Sequence, residues 1–385
     1  MKQKRKVIRI LAAITLLFTG LIPVKAMEYP DTVSENVYVL DYDNRQVLMD
    51  KGGEERIYPA SMTKLMTALL FAENTTDWND TLEITGEMLE GLAEANASVA
   101  GWSEGTVLDR NSVLHGILVV SGADAVNCAA ISVSGSVEAF VDLMNEKASQ
   151  LGMTNTHFVN PTGLHDDDHY STCKDIAILL QNCLSNEKIR EVLSTETFTD
   201  TSGLTMTNTW KKALMNGGYT VPGLLGGKTG YTNTAGHCFA SFGELNGMKI
   251  ISVTAAAHTS MYSNDHLLDA QTIYTWLENN CQRTKVLKGE EELKTITVKR
   301  LFDEETITVI SPADYEMDVF EDASLSIETD LPNVVEIRSK AQTIEGTVYV
   351  KDNNETVYST PITVTIPREE SFFQRLILKV QEFFE

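Results

Sequence analysis

The hydrophobic pattern of the chain changes near Lys288, and this change constrains the fold more than any other feature. From Leu293 to Ile366 the sequence consists of short runs in which apolar and polar residues alternate, such as 306–309 and 362–365. Strict alternation with regular turn breaks and no helical period is typical of half-buried β-strands. We therefore predict a small all-β domain over residues 288–366, separate from the region that precedes it.

Residues 27–287 mix strand and helix patterns and predict one larger domain. Apolar runs flank a turn at Asp43-Asn44, and two further runs flank Asn246-Gly247, so each turn predicts a β-hairpin. This order of strands and helices predicts an α+β domain in which helices cover an antiparallel sheet. Helical periodicity is found at about 61–72, 111–150 with a break at 121–123, 175–184 and 264–280.

Both ends of the chain carry segments that we assign outside these domains. Five basic residues precede an apolar run over 10–22, and Val24-Lys25-Ala26 offers the small residues that a signal peptidase recognises. Residues 1–26 therefore predict a cleaved secretory signal, with an uncleaved anchor as the alternative. Residues 367–385 predict an amphipathic helix whose wide apolar face includes Phe373. We expect this helix to lie in the plane of a membrane surface and anchor the protein there, with docking on the β-domain or dimerisation as alternatives.

Charge and cysteine spacing exclude several classes of ligand. The formal net charge is −23, and removal of residues 1–26, which hold six basic and no acidic residues, moves it to −29. Such an acidic chain repels nucleic acid at long range, so we expect no nucleic-acid partner. The five cysteines show no C-x-x-C spacing, which predicts buried thiols rather than a disulfide framework or a zinc site.

The histidines fit no catalytic pattern that we can justify. The run from His165 to His169 looks like a metal cluster, but consecutive loop residues seldom converge on one ion, so we interpret it as a solvated acidic loop. We interpret the others, His237 and His266 among them, as packing or surface residues.

The central chemical motif is Ser61-Met62-Thr63-Lys64 at the start of a predicted helix. Residues three apart on a helix share a face, so we expect Ser61 and Lys64, with the small Ala68, to line a cleft beside the core-facing stripe. A serine hydroxyl needs a base to become a nucleophile, and lysine serves only when neutral. Burial, the helix N-terminus and a second cation, Lys228, would each lower the pKa of Lys64. Alone, the pattern also fits a capping serine beside a solvated lysine.

Two further motifs add polar groups. In Gly227-Lys228-Thr229-Gly230 the glycines leave room for a ligand backbone beside a strand, and the lysine and threonine suit a carboxylate. A phosphate loop is excluded because Pro222 stands where that motif needs glycine. Ser121-Gly122-Ala123 lies in a break between predicted helices. In chain order the three motifs match the S-x-x-K, S-x-N, K-T-G series of penicillin-interacting enzymes, except at Ala123.

The chain resembles the low-molecular-mass penicillin-binding proteins, which are serine D-alanyl-D-alanine carboxypeptidases, over nearly its whole length. The resemblance rests on strings longer than the three motifs, namely 59–64, 152–158, 160–164 and 227–232. A β-domain and a terminal amphipathic helix follow in the same order in that family. The resemblance implies a penicillin-binding/β-lactamase-like α/β catalytic domain of α+β layout. It also implies an exported, extracytoplasmic enzyme, secreted or attached peripherally to the outer face of the cytoplasmic membrane.

The resemblance further implies the catalytic roles. Ser61 would attack the carbonyl of the penultimate D-Ala of a peptidoglycan stem pentapeptide, with neutral Lys64 taking its proton. Ser121 would relay a proton to the leaving D-Ala. Water would then release the shortened peptide from the acyl-enzyme, without a metal or cofactor. β-Lactam antibiotics would acylate the same serine.

The binding roles follow from the same resemblance. Lys228 and Thr229 would hold the terminal carboxylate of the peptide. Gly230 and Tyr231 complete the motif, and the backbone N–H groups of Ser61 and Tyr231 would form an oxyanion hole. One such donor is typically worth about 3 kcal/mol in catalysis.

One departure from the family pattern is Ala123, which stands where the family usually has Asn. We expect slower or altered turnover, unless another polar group or a water replaces the lost amide. A β-lactamase is the nearest alternative, but no E-x-x-L-N segment lies between Ser121 and Lys228. A binding protein that kept the fold and lost turnover is the other alternative, and Ala123 is the feature that supports it.

Overall fold

The computed structural model describes residues 7–11, 13–14, 28–300, 304–311, 314–337, 341–352 and 354–367. It divides the chain into two compact units, one formed by Tyr29–Gln282 and the other by the segments on either side. The change of hydrophobic pattern predicts that the larger domain ends at residue 287. The two compact units meet between Gln282 and Arg283. The predicted C-terminal helix, apart from Pro367, and most of the predicted signal segment lie outside the described residues.

Two short strands, β1 (Val7–Leu11) and β2 (Ala13–Ile14), come first in the chain. The elements of the larger unit follow in chain order: β3 (Asn36–Asp41), β4 (Val47–Lys51), α1 (Lys64–Glu73), β5 (Thr81–Glu83), α2 (Gly86–Leu89), β6 (Val107–Asp109), α3 (Arg110–Leu118), α4 (Ala123–Ser134), α5 (Val137–Leu151), α6 (Cys173–Ser185), α7 (Glu187–Ser194), β7 (Thr197–Thr199), β8 (Thr205–Thr207), α8 (Thr209–Gly217), β9 (Leu224–Thr232), β10 (Gly236–Leu245), β11 (Met248–Ala257) and α9 (Asp265–Asn280).

The main sheet of the larger unit has the strand order β4-β3-β11-β10-β9, and each neighbouring pair is antiparallel. Both predicted hairpins are present, β3–β4 and β10–β11, because their turn residues allow the tight reversal that alternating strands need. Strand β9, which carries Gly227–Gly230, lies at the edge of the sheet. One side of this strand therefore remains available to a ligand or to neighbouring loops.

Helix α1 is the centre of the helical layer. Its residues from Lys64 to Ala72 are all buried, because α3, α4, α5, α6 and α7 all pack against it. The expectation that Ala68 lines a cleft is therefore wrong, since Ala68 is fully buried in the core. The apolar stripe that the sequence shows on α1 is only part of the buried surface of this helix, because neighbouring helices cover its other faces as well.

The helix also begins three residues later than predicted. Ala60–Thr63 form one turn of 3₁₀-helix, in which the Met62 N–H donates to the Pro59 carbonyl at 3.0 Å. With three residues per turn, residues i and i+3 of a 3₁₀-helix are eclipsed. Ser61 and Lys64 are thereby stacked one above the other more closely than on an α-helix.

The region from 110 to 151 forms three helices, one more than the single predicted break implies. The predicted break at Ser121-Gly122-Ala123 separates α3 from α4, and Ser136 caps α5 by accepting the Ala139 N–H at 3.1 Å. Across the described part of the chain no single helix is long and apolar enough to cross a membrane, and α4 with α5 meets those criteria only as a pair bent by 83°.

The smaller unit is all-β, as predicted. Its strands are β12 (Cys281–Leu287), which begins at the junction, β13 (Glu292–Lys299), β14 (Glu304–Ile310), β15 (Tyr315–Phe320), β16 (Leu325–Thr329), β17 (Val334–Glu336), β18 (Gln342–Asp352) and β19 (Glu355–Ile366). Two sheets, β1-β14-β13-β17 and β16-β18-β19-β2, enclose a core that includes Ile296, Ile307 and Val364. The all-β character follows from the alternating pattern, which gives each strand one apolar face.

All five cysteines are buried, as predicted, and no disulfide joins them. Burial raises the pKa of the Cys128 and Cys238 thiols to about 12. Thiols of this kind act as small apolar core groups rather than as nucleophiles.

Candidate active site

A cleft of about 1040 Å³ opens beside the turn that precedes α1. Its walls come from that turn, the loop before α4, the loop at 162–165, helix α8 and the edge strand β9. Six of the seven predicted site residues line it: Ser61, Lys64, Ser121, Thr229, Gly230 and Tyr231. The seventh, Lys228, is fully buried behind the wall. Three motifs that are far apart in sequence therefore meet at one place.

Ser61 and Lys64 form a hydrogen-bonded pair in this cleft. The Lys64 Nζ lies 3.0 Å from Ser61 Oγ and 2.6 Å from the carbonyl oxygen of Thr162. Ala60, just before the serine, has a φ of 45°, which is rare for a residue with a side chain. Such backbone strain persists only where the surrounding packing imposes it, and it concentrates at functional sites. The pair therefore has the geometry of a nucleophile with its base.

Burial sets the protonation of Lys64, whose side chain is almost completely enclosed. Burial lowers the pKa of Lys64 to about 7, while the buried Asp124 carboxylate acts in the opposite direction. An amine with this pKa is about half neutral near neutral pH, whereas less than about one ordinary lysine in a thousand is neutral there. Burial, rather than the second cation expected from the sequence, is thus the main cause.

The loop Asn160–Leu164 supplies the carbonyl that holds the Lys64 amine. The Asn160 side chain shapes this loop by accepting the N–H groups of Thr162 and Gly163 at 3.2 and 2.8 Å. Gly163 has a φ of 79°, and a Cβ there would lie 1.9 Å from the Ala60 carbonyl oxygen. Only glycine permits this contact. The sequence could not indicate the role of Thr162, because its backbone and not its side chain contacts the lysine.

Ser121 and Lys228 form a second hydroxyl–amine pair. The Lys228 Nζ donates to Ser121 Oγ and to the Thr229 carbonyl oxygen, both at 2.9 Å. Burial and the nearby Lys64 hold the pKa of Lys228 well below its usual range. Ser121 has a φ of 63°, so it is also held in a strained backbone conformation. The cleft thus contains two serine hydroxyls, each hydrogen-bonded to a buried lysine.

The wall next to Ser121 is held by Asp124, a residue that the sequence analysis missed. Its fully buried carboxylate accepts the N–H groups of Ala100 and Gly101 at 2.8 and 3.0 Å. The N–H of Ala123 donates to the Ser98 carbonyl at 2.7 Å. These bonds attach the 95–101 segment, part of which lines the cleft, to the start of α4. An acidic residue in the first turn of a helix is so common that it gave no functional signal.

The edge strand closes the cleft on the opposite side. Thr229 Oγ1 donates to Thr209 Oγ1 of α8 at 2.7 Å. Beyond Gly230, the His237 ring stacks on His266 at a centroid separation of 5.0 Å, and the Tyr231 ring contacts His237 at 4.5 Å with a tilt of 38°. His237 and His266 are buried, as the interpretation as packing residues requires, and both also line the cleft. Burial lowers the pKa of His266 to about 3, which keeps its ring neutral.

The His165–His169 segment is only partly the solvated loop that we expected. Its three aspartates are exposed, but His169 is buried against the ring of Phe158 at a centroid distance of 5.6 Å. The interpretation is therefore wrong for His169, whose burial depends on a chain reversal that the local sequence does not show. Within the described residues, no three His, Cys, Asp or Glu side chains are grouped so that they could hold a metal ion.

Comparisons with known proteins agree with this geometry. The family model described as D-alanyl-D-alanine carboxypeptidase matches residues 23–259. The chain belongs to this family of serine peptidases. It is 30% identical over 343 residues to the D-alanyl-D-alanine carboxypeptidase DacF of Bacillus subtilis (strain 168), covering 86% of this chain and 84% of that protein. The chain is therefore a serine-type hydrolase of the D-alanyl-D-alanine carboxypeptidase class, with a function in the cell wall.

Solved structures share the fold. Penicillin binding protein 5 from Haemophilus influenzae superposes with a TM-score of 0.69 at 23% identity, over 88% of this chain and 98% of that chain. The carboxypeptidase DacD from Francisella tularensis superposes with a TM-score of 0.70 at 20% identity, over 93% of this chain and 97% of that chain. The predicted fold class is confirmed.

The close approach of Gly230 to the serine turn gives a first test. A Cβ at Gly230 would lie 3.0 Å from the Ser61 backbone nitrogen and 3.2 Å from the Pro59 carbonyl oxygen. We expect Gly230→Ala to push β9 away from Ser61 by a few tenths of an ångström and to lower kcat for D-Ala release by roughly tenfold, because catalysis is sensitive to small misplacements. Thermal unfolding measured on the same sample should change little. A variant with unchanged kcat would contradict the tight coupling of strand and turn.

Proposed function

We propose that Ser61 is the nucleophile of a D-alanyl-D-alanine carboxypeptidase that removes the terminal D-Ala from peptidoglycan stem pentapeptides, with Lys64 as its base. The observation that supports this most directly is the 3.0 Å contact between Ser61 Oγ and an almost fully buried lysine amine. When neutral, that amine keeps one N–H on the Thr162 carbonyl and accepts the serine proton through its lone pair. The new bond joins Ser61 Oγ to the carbonyl carbon of the penultimate D-Ala.

Ser121 serves in this mechanism as the proton relay to the leaving group. Its oxygen accepts an N–H from Lys228, so its own hydrogen can be directed to the nitrogen of the departing D-Ala. As the C–N bond breaks, the proton lost by Ser61 reaches that nitrogen by way of Lys64 and Ser121. The backbone N–H groups of Ser61 and Tyr231 stabilise the oxyanion while it exists.

The terminal carboxylate is held by Thr229 and by the charge of Lys228. The Thr229 hydroxyl lines the cleft, whereas Lys228 lies behind the wall. An anion in the cleft favours the protonated form of that lysine, so substrate binding raises its pKa and supplies the positive charge when it is needed. Lys228 thus contributes electrostatically and through Ser121.

We also propose that the enzyme is exported and acts on the outer side of the cytoplasmic membrane. Residues 1–26 would be removed as a signal, and the helix predicted for 367–385 would attach the enzyme to the membrane surface. Cleavage would also remove the edge strands β1 and β2, so that β14 and β19 become edge strands of their sheets. The substrate supports this location, because peptidoglycan stem peptides are processed outside the cytoplasm.

The nucleophile is tested by mass spectrometry and by a peptide assay. Wild-type protein should release D-Ala from diacetyl-Lys-D-Ala-D-Ala and should gain the mass of one penicillin on the peptide that contains Ser61. Ser61→Ala should lose both properties while keeping its thermal unfolding profile. A penicillin adduct on another residue, or equal D-Ala release by both proteins, would contradict the assignment. An adduct that persists for many minutes would distinguish a carboxypeptidase from a β-lactamase, which hydrolyses the drug quickly.

The pKa of Lys64 predicts how the reaction depends on pH. Only the neutral amine accepts the serine proton, and burial places the pKa of Lys64 at about 7. We therefore expect the rate constant of acylation by labelled penicillin to rise with pH up to about 7 and to level off above it, falling by roughly tenfold for each pH unit below. A stopped-flow series at constant ionic strength measures this. A profile without an inflection near neutrality would argue against Lys64 as the base.

Ala123 offers a gain-of-function test. Its methyl group is buried at the cleft wall, and Asn96 and Ser98 of the adjacent loop line the same cleft. We expect Ala123→Asn to increase kcat for D-Ala release by about fivefold, because one added hydrogen bond in the cleft contributes about 1 kcal/mol. Ala123→Leu, which adds volume without a polar group, is the matched control and should lower kcat. If the asparagine variant is no faster than wild type, the expectation is contradicted, and another group already supplies the hydrogen bonds of that amide.

A further inference from the structure

A buried histidine that the proposed mechanism does not use is bonded to the turn between the nucleophile and the base. His169 Nε2 lies 2.8 Å from the hydroxyl of Thr63, and both side chains are buried. Thr63 stands between Ser61 and Lys64 in the 3₁₀ turn. His169 thus contacts the S-x-x-K motif through Thr63, and it is not among the residues that line the cleft.

The bonding partners of His169 define which ring nitrogen carries the proton. The backbone N–H of Val159 donates to Nδ1 at 3.1 Å, and an amide N–H can only donate. In the neutral ring Nδ1 is therefore the acceptor, and Nε2 carries the hydrogen and donates it to Thr63 Oγ1. Burial lowers the pKa of His169 to about 4, so this neutral form is present at all pH values where the enzyme would work.

Through these two bonds, His169 connects the catalytic turn to the segment that leads into the Asn160–Leu164 loop. Val159 directly precedes that loop, and the loop contacts α1 twice more. Thr67 Oγ1 donates to the Pro161 carbonyl at 2.8 Å, and Lys64 Nζ donates to the Thr162 carbonyl at 2.6 Å. The His169 bonds therefore attach the start of the Asn160–Leu164 loop to the 3₁₀ turn. Lys64, whose amine the Thr162 carbonyl contacts, directly follows that turn.

We propose that His169 is a positioning residue which, through Thr63 and Val159, holds the Thr162 carbonyl against the Lys64 amine and keeps that amine buried beside Ser61. This inference rests on the proposed role of Lys64 as the base. His169 acts through other residues and contacts neither the substrate nor the reacting atoms. Without it, the loop separates from the turn and water reaches the amine, which favours the charged form of Lys64.

The charged groups around both side chains make this effect specific to Lys64. Asp166 favours protonation of His169, while His157, His165 and Lys64 disfavour it. Lys64 is influenced by Asp124, which favours its charged form, and it lies close enough to Lys228 to lower the pKa of that lysine. Loss of the neutral His169 ring removes no charge from this set. A change in the titration of Lys64 would therefore report solvent access rather than a lost charge.

The test is the pH profile of penicillin acylation in full-length protein carrying His169→Leu or Thr63→Val. We expect the inflection assigned to Lys64 to move up by about one pH unit in both variants, which lowers acylation near pH 7 by about fivefold and restores wild-type rates above about pH 9. His169→Gln retains an N–H donor for the Thr63 hydroxyl and Thr63→Ser retains that hydroxyl, so both should keep the wild-type inflection.

Controls separate positioning from general destabilisation. His157→Gln changes another histidine of the same region, whose Nδ1 contacts only the Asp168 carbonyl at 2.7 Å, and it should leave the profile unchanged. If His169→Leu does not unfold in a single cooperative transition, Thr63→Val carries the test alone. A rate that falls equally at all pH values, with an unmoved inflection, would overturn the positioning role while leaving the proposed function intact. If wild-type protein forms no adduct on Ser61, both proposals fail.

Discussion

The burial of the Lys64 amine is the constraint on which the rest of the site depends. A lysine in water is protonated near neutral pH, and a protonated lysine cannot accept the proton of Ser61. The fold enclosed this amine inside a helical core and gave it two oxygen partners, Ser61 Oγ at 3.0 Å and the Thr162 carbonyl at 2.6 Å. Burial then lowers its pKa to about 7, where the neutral form is abundant. The helices that surround α1 therefore set the protonation of Lys64 as well as the stability of the core, because they exclude the water that would stabilise the charge.

Hydrogen bonds between polar side chains and backbone N–H groups keep this arrangement in place. The loop that reaches Lys64 is shaped by Asn160 and fits only because Gly163 lets it approach Ala60. On the other side, Asp124 accepts two backbone N–H groups of the loop that lines the cleft. Such carboxylate bonds to backbone N–H groups hold loops firmly, since a buried charge without partners is costly. The cleft is thus bounded by two loops, one held by the half-buried Asn160 side chain and the other by the buried Asp124 carboxylate.

Ala123 and the stacked rings of His237 and His266 are two further features of the cleft lining. A methyl group at 123 removes polarity near Ser121, while His237 and His266 extend an aromatic surface beyond the K-T-G strand. Ser61, Lys64 and Lys228 match the three-motif series, so Ala123 is the position at which this chain departs from it. Catalytic groups of this kind depend on one another and cannot change singly, whereas residues at the edges of a cleft tune rate and preference.

The sequence by itself determined the two-part architecture, the hairpins, the helix break at Ser121 and the identity of the three motifs. These features are local: periodicity, turn residues and spacing specify them within a few residues. The sequence was wrong about the exact helix start, about Ala68 and about His169. Ala68 and His169 are buried by segments far away along the chain, and the helix starts later because a turn of 3₁₀-helix precedes it.

Only the tertiary structure decided which atoms meet in the cleft. It joined Ser121 to Lys228, and it brought the Thr162 carbonyl to the Lys64 amine. A carbonyl belongs to every residue and leaves no mark in a sequence, and burial of a lysine is a property of its surroundings. The sequence therefore determined which groups were available for the chemistry. The fold decided their protonation and their distances, because both depend on the exclusion of water by residues that are distant in the chain.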